Sequence, residues 1–385
     1  MCGVCVNAPS RRAHEQKEMP MESRVFFTVF AGRRRFLGVL MAYVAPLLEQ
    51  RVIDHVHLWD YCRLAADREY LKGLPSTHKG VEVIQPPPSD AHAKFPNKWK
   101  GYYAYYASLL KASDFLIKCD DDVVFIANLP VLLRVARKDH GVHHLFFPSI
   151  VNNDVAASFQ AADGVVTDPE YVVTLRASRP EGRYSRTPIS DWYNCTQCAQ
   201  HIHSKFLSKP DAFFTGCIHE WSVPARVPIN FFLMGGAAVR EHFAGYATEA
   251  FVDEPYFTAL LTERTRRPSL MVTDAVVVHF SFGFQHMPDE RQLLDRYRQL
   301  SRDGDVHARL SRNFGERVLS QTCPSSAPPH LMQGKRNLSA NDVAMLPQAS
   351  SRGGGGKIRG GGGGGGGGGK GRGAGGKGRG TARHR

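Results

Sequence analysis

An apolar, strand-length run, Ser113-Asp114-Phe115-Leu116-Ile117-Lys118-Cys119, ends directly in three carboxylates, Asp120-Asp121-Asp122. No other feature restricts the fold as much. Three adjacent carboxylates repel one another, and a strand end is half buried. The cluster is comfortable there only beside a cation. Along an extended segment Asp120 and Asp122 project to one face and Asp121 to the other. Paired carboxylates suit Mg²⁺ or Mn²⁺, hard ions that take oxygen ligands and share them with substrate phosphates. In open α/β sheets, ligands bind beyond the carboxyl ends of the strands. The plain alternative is a solvated acidic turn. The position after Leu-Ile-Lys, within a strand–helix alternation, favours a site.

That alternation begins at Arg24-Val25-Phe26-Phe27-Thr28-Val29-Phe30, a β-branched and aromatic run of strand length. Phe36, Leu37, Leu40, Met41, Val44, Leu47 and Leu48 then recur at helical spacing, with a kink or early stop expected at Pro46. Residues 52–59 read as a second strand, so the unit is strand–helix–strand with parallel pairing. Further strands are expected at 81–84, 113–119, 145–148, 229–234, 270–272 and 275–280. Helices are expected at 99–111 and 291–300. Residues 155–225 mix polar, Pro and Gly residues and read as irregular. Trp99, Tyr102, Tyr103, Tyr105 and Tyr106 are too dense for all to be stacking platforms, so at least half belong to the core.

Composition separates body from tails. Of 49 Lys and Arg, nine lie in 343–385, where there is no Asp or Glu, leaving 40 against 36 acids in the rest. The same stretch holds 20 of the 37 Gly. It cannot bury enough apolar surface to fold. Spaced cations on such a tail imply nonspecific affinity for polyanions. The polar arm 1–22 and the tail 321–385 are expected to be disordered, flanking a catalytic domain at 23–320. The longest apolar stretch, Phe36 to Leu48, is short of the roughly 20 residues a membrane span needs. No secretory h-region is present at the N-terminus. The eight Cys are therefore read as reduced thiols in a cytoplasmic protein. Asn194 and Asn337 match glycosylation sequons, and that compartment argues against their use.

Phe115-Leu116-Ile117-Lys118-Cys119-Asp120-Asp121-Asp122-Val123-Val124-Phe125-Ile126 resembles the DXD segment of nucleotide-sugar glycosyltransferases of the GT-A fold, in particular β-1,3-galactosyltransferase-like members. The likeness covers roughly residues 24–300. FFTVFAGRRR resembles the first nucleotide-binding strand and its loop, INFFLMGGAAV the mid-domain strand and Gly turn, FVDEPYFTALL the acidic segment, and VVVHFSF the late strand bearing a metal-site His. No membrane anchor of the family's kind is seen, and 155–225 matches nothing placed.

The resemblance implies an α/β fold of GT-A type: a Rossmann-like, mostly parallel central sheet flanked by helices. It implies a transferase moving a hexosyl group from a UDP- or GDP-sugar to a hydroxyl of a glycan, protein or lipid acceptor. Asp122 would be the direct metal ligand and Asp120 would hold the ribose or a metal-bound water. His279 would complete the site for Mn²⁺ or Mg²⁺, with His286 a weaker rival. Asp253 or Glu254 would supply the base of an inverting reaction, with a weak lean to Asp253. A pair of acids favouring a helix N-terminus is the alternative there. Thr28, Phe30, Gly32, Arg33 and Asp60 would line the nucleotide. Lys98 or Lys100 would reach the diphosphate, and Asp121, Gly235 and Gly236 would approach the donor.

Two other functions stay open at this point. A sugar nucleotidyltransferase would use a related sheet, although Gly32-Arg33-Arg34-Arg35 is not a Gly-rich phosphate loop. A nucleic-acid-binding protein would act through the tail, against the acidic set of the body. Cys195, Cys198, His201 and His203, with Cys217 and His219 nearby, have spacing reminiscent of zinc ligands, but a lone CxxC is weak evidence. Cys2 and Cys5 form a still weaker pair.

Overall fold

The computed structural model describes residues 23–87, 100–167, 192, 195–222, 226–248, 252–283 and 285–303. Strand β1 (Val25–Ala31) leads through helix α1 (Arg34–Glu49) to β2 (His55–Asp60), and helix α2 (Ala65–Thr77) leads on to β3 (Val81–Ile84). Helix α3 (Lys100–Leu109) precedes β4 (Phe115–Asp120), which lies on the other side of β1. All three pairings within β3-β2-β1-β4 are parallel. Their carboxyl ends therefore share one edge, where Ala31 pairs with Asp60 and Phe30 with Asp120.

The chain continues through β5 (Val123–Ala127), α4 (Leu129–Asp139), β6 (Leu145–Val151), α5 (Asp154–Ala162) and α6 (Thr196–Ser208). Strands β7 (Ile218–Trp221) and β8 (Phe231–Gly235) and helix α7 (Gly236–Thr248) follow. A helical stretch made of Asp253–Pro255, a π-helical Tyr256–Leu260 and α8 (Leu261–Thr265) leads to β9 (Ser269–His279) and α9 (Glu290–Arg302). The strands form one sheet ordered β3-β2-β1-β4-β8-β6-β9-β5, with β7 paired to β9. Beyond β4 the sheet is mixed: β8 is antiparallel to β4 and β6, β6 is parallel to β9, and β5 is antiparallel to β9. The fold is α/β with a central sheet flanked by helices. Every residue of β9 and β6 is buried, as expected of strands covered on both faces.

Local expectations differ from the structure in three places. Helix α1 runs through Pro46 to Glu49. The proline removes one backbone donor only in the final turn, where few bonds remain to be lost. Residues 155–225 include α5, whose N-cap Asn153 accepts from the Ala156 amide at 3.1 Å, as well as α6 and β7. Their polar residues obscured the apolar periodicity. The two strands expected around 270–280 are one strand. The pairing of Pro148 with Val272 and of Ser149 with Val276 leaves Thr273, Asp274 and Ala275 as an insertion in β9. Thr273 Oγ1 uses that irregularity to accept from the Cys217 amide at 2.7 Å.

Tyr102 and Tyr106 are fully buried against β1 and β2, and Tyr103 is fully buried against Phe243, Tyr246 and Phe257. Tyr102 and Thr28 share a hydrogen bond of 2.6 Å between their hydroxyls, and Trp59 Nε1 donates to the Tyr106 hydroxyl at 3.0 Å. These rings are core, with their polar tips satisfied inside it. No helix among the described residues is long and apolar enough to cross a membrane.

Candidate metal centre

Strand β4 stops at Asp120 and β5 starts at Val123, so Asp121 and Asp122 form the turn between them. Two crossing elements give that turn its partners. Pairing of β5 with β9 sets Val123 beside His279, and the Phe280 amide donates to the Asp122 carbonyl at 2.8 Å. The β1–α1 loop supplies the second set. The Gly32 amide donates to Asp121 Oδ2 at 2.9 Å, and Arg33 Nη2 lies 2.9 Å from Asp122 Oδ2. Arg33 Nε also donates to Asp121 Oδ1 at 3.0 Å.

Asp120, Asp122 and His279 offer ligand atoms that all lie within 4.8 Å of one another. His279 Nε2 is 3.4 Å from Asp122 Oδ1, a buried oxygen with no hydrogen-bond partner. An orphaned buried carboxylate oxygen beside an imidazole nitrogen is what a divalent cation satisfies, and two carboxylates with one imidazole fit Mn²⁺. Burial alone would raise the Asp122 pKa. The neighbouring His279, followed by Arg33, outweighs it and holds this carboxyl below the ordinary carboxylate range. Burial dominates at Asp121, whose pKa is raised.

Asp120 has cationic and amide partners of its own. The buried Lys118 ammonium donates to Asp120 Oδ1 and, at 2.6 Å, to the Ile229 carbonyl. Asn230 Nδ2 donates to Asp120 Oδ2 at 3.2 Å, and the Asp120 amide donates to the Asn230 carbonyl at 2.9 Å. Lys118 and Asn230 were missed by sequence reading. An inward Lys two residues before the acids is a usable signal for the first; Asn230 carries none.

The acidic segment brings Glu254 and Asp253 to different surroundings. Arg226 Nε donates to Glu254 Oε1. Burial raises the Glu254 pKa against the pull of Arg226, and the Lys118 charge acts on it as well. Asp253 accepts from the Tyr103 hydroxyl at Oδ2, 2.9 Å, and from the Glu254 amide at Oδ1, 2.9 Å. Asp154, at the start of α5, is buried and pushed up to about 7 by desolvation, with Glu254 adding to the rise.

Other expected site residues are dispersed. Thr28 is wholly buried, its hydroxyl used by Tyr102 and the Ile117 carbonyl. Asp60 ends β2 and accepts from the Cys62 amide, Arg68 and Gln85. Burial opposes these bonds, yet they lower its pKa. Phe30 lies edge-on to Tyr61 and Tyr102. Lys100 opens α3, while Lys98 and Trp99 lie outside the described residues. Gly235 and Gly236 fall at the far end of the sheet, because antiparallel β8 sets Gly235 opposite Phe115 rather than near Asp120. A Cβ on Gly236 would come within 2.0 Å of the Lys111 carbonyl oxygen, so this glycine serves close backbone packing and not a donor floor. His286 is exposed and outside the Asp120–Asp122–His279 group.

The cysteine reading is corrected. Cys195 and Cys198 are joined in a disulfide, and Cys217 is disulfide-bonded as well. Cys62 and Cys119 are free and buried. A sulfur in a disulfide is no thiolate ligand, so zinc at Cys195 and Cys198 is ruled out in this state. His203 is occupied too, with Nδ1 at 2.8 Å from the Tyr297 hydroxyl and Nε2 at 2.7 Å from the Phe280 carbonyl. The expectation of uniformly reduced thiols, and the support it lent to a cytoplasmic setting, goes with it. Cys2, Cys5, both sequons, the N-terminal arm and the Gly-rich tail lie outside the described residues.

Neither a family model nor a curated protein matches the sequence. Among solved structures, the chain is similar to 4-diphosphocytidyl-2C-methyl-D-erythritol synthase from Anaerococcus prevotii, with 10% identity over 71% of this chain and 95% of that one, TM-score 0.39. It is similar to the galactosyltransferase LgtC in complex with donor and acceptor sugar analogues, with 12% identity over 62% and 70%, TM-score 0.30. It is also similar to core-mannan synthase A from Aspergillus fumigatus in its Mn/GDP form, with 11% identity over 61% and 68%, TM-score 0.28. Likenesses this distant assign no activity to the chain.

Proposed function

We propose that this protein is a metal-dependent glycosyltransferase that moves a hexosyl group from a nucleoside-diphosphate sugar to an acceptor hydroxyl. The observation that carries the reading is the convergence of Asp120, Asp122 and His279, with the orphaned Asp122 Oδ1 among them, at the carboxyl edge of the parallel strands. Mn²⁺ held there would act as a Lewis acid on the diphosphate leaving group. Lys118 and Asn230 hold Asp120 in place, and Arg33 holds the Asp121–Asp122 turn against like-charge repulsion.

In an inverting reaction the acceptor oxygen attacks the anomeric carbon. The bond to the diphosphate breaks with its electron pair, and the hydroxyl proton passes to a carboxylate. Glu254 is the preferred base over Asp253. Burial raises its pKa, which favours proton uptake, and Lys118 links it electrostatically to the Asp120 side of the centre. Both oxygens of Asp253 are already committed to Tyr103 and the Glu254 amide.

Donor hydrolysis tests the reading. A panel of UDP- and GDP-sugars is incubated with the full chain and Mn²⁺, and free nucleotide is measured. Turnover with at least one donor, abolished by EDTA, is expected. Absence of turnover and of Mn²⁺-dependent nucleotide binding across the panel would overturn it.

A further inference from the structure

We propose that His55, His57 and Glu82 form a second metal site, a two-histidine, one-carboxylate set for zinc that clips strand β2 to the edge strand β3. It shares no residue with the Asp120–Asp122–His279 centre and goes beyond the transferase reading.

The backbone assembles the three side chains. His55 and His57 are two residues apart on β2 and so share a face of the sheet. Parallel pairing sets Glu82 directly beside His57. One ligand atom from each of the three lies within 4.8 Å of the others, and His57 Nε2 is 4.0 Å from Glu82 Oε2. Ligands about 2.1 Å from a tetrahedral zinc stand about 3.4 Å apart, so closure needs movements of about 1 Å. Glu82 has the freedom to make them, its side chain being 61% exposed.

The surroundings orient the imidazoles. His57 Nδ1 is 2.8 Å from the Tyr106 hydroxyl, whose oxygen accepts from Trp59 Nε1. That contact leaves Nε2 turned toward Glu82, the arrangement in which a histidine ligand is steadied through its other nitrogen. Phe26 stacks on the His55 ring at 4.7 Å with planes 14° apart, which fixes the second imidazole. Three protein ligands with an exposed carboxylate leave the fourth position to water. β3 has four residues and ends the sheet beyond β2, so a metal bridging the two secures a short edge strand.

The full chain is stripped with EDTA, dialysed against zinc, and its bound zinc counted by elemental analysis beside Glu82→Gln, His55→Gln and Asp122→Asn. Melting in EDTA checks that each variant is folded. Wild type should hold one more zinc per chain than Glu82→Gln or His55→Gln, and Asp122→Asn should hold one more than the double variant Asp122→Asn/Glu82→Gln. Zinc should raise the melting temperature of Asp122→Asn but not of Asp122→Asn/Glu82→Gln, and its affinity at this site should fall at least ~10-fold in Glu82→Gln. Equal zinc content in the wild type, Glu82→Gln and His55→Gln, at any value, overturns the proposal. So does equal zinc content in Asp122→Asn and Asp122→Asn/Glu82→Gln.

Discussion

His279 Nε2 lies 3.4 Å from Asp122 Oδ1, although one residue ends the last strand of the sheet and the other sits in the turn after β4. The antiparallel pairing of β5 with β9 creates this proximity by setting His279 beside Val123. A carboxylate oxygen with no hydrogen-bond donor then faces an imidazole in a buried turn. Metal binding, turn stability and the charge of Arg33 all meet at this pair.

Asp122→Asn removes one ligand charge and keeps the side-chain volume. Mn²⁺-dependent donor hydrolysis should drop at least ~10²-fold, the lower range for losing a catalytic group. The melting temperature should stay close to wild type, since Arg33 keeps Asp121. Paired kinetic and melting measurements check this, and full activity would sink the metal assignment.

Arg33→Ala leaves Asp121 and Asp122 adjacent, buried and without their shared cation. Breaking a fully buried pair costs about 3–5 kcal/mol. Because the Arg33 side chain is 44% exposed, a loss of about 1–3 kcal/mol is expected. Mn²⁺ should restore part of it by replacing the missing charge. Denaturant unfolding with and without Mn²⁺ measures both, and a deficit that Mn²⁺ does not reduce would contradict a cation site at the turn.

His203 and His144 are buried, and desolvation pushes each down to about 4. The unfolded chain binds their protons near pH 6.5, the ordinary histidine value. Between pH 6.5 and 4 the unfolded state therefore holds more protons, and stability must fall as pH falls. Their contribution is complete above about pH 6.5. Urea unfolding at pH 7 and 5 should show the loss, with a shallower slope in His203→Gln. An unchanged slope would remove His203 from the account.

Gly236→Ala should destabilise the fold by about 2–4 kcal/mol, the upper range for forced overpacking. Its Cβ would meet the Lys111 and Asp114 carbonyl oxygens at 2.0 and 2.9 Å, and backbone cannot step aside as a side-chain end can. Gly235→Ala should cost much less, because its nearest contact is the His140 Cβ at 3.4 Å. Similar melting temperatures for the two variants would show that α7 shifts to make room.

Glu254→Gln and Asp253→Asn separate the two acids. Glu254→Gln should lower transfer by roughly 10²–10⁴-fold with nucleotide affinity almost unchanged. Asp253→Asn should have the smaller effect, through the Tyr103 contact. Normal transfer in both variants would favour a retaining reaction.

The sequence by itself determined the local elements and one half of the sheet. Apolar runs of strand length at 25–30, 81–84 and 115–119, joined by helical spacing at 36–48, allow little except parallel crossovers. The Asp120-Asp121-Asp122 turn was legible because three carboxylates at a buried strand end demand a cation. Only the tertiary structure decided what the second half of the sheet brings to that turn. The direction of β8 is not encoded in its own residues; it arises from pairing with β4 and β6, and it carries Gly235 away from Asp120 while bringing Asn230 to it. Arg33 across Asp121 and Asp122, and Glu82 beside His57, are likewise contacts between elements. Local sequence sets which way a residue faces along its own strand, whereas pairing and register set which residue it meets.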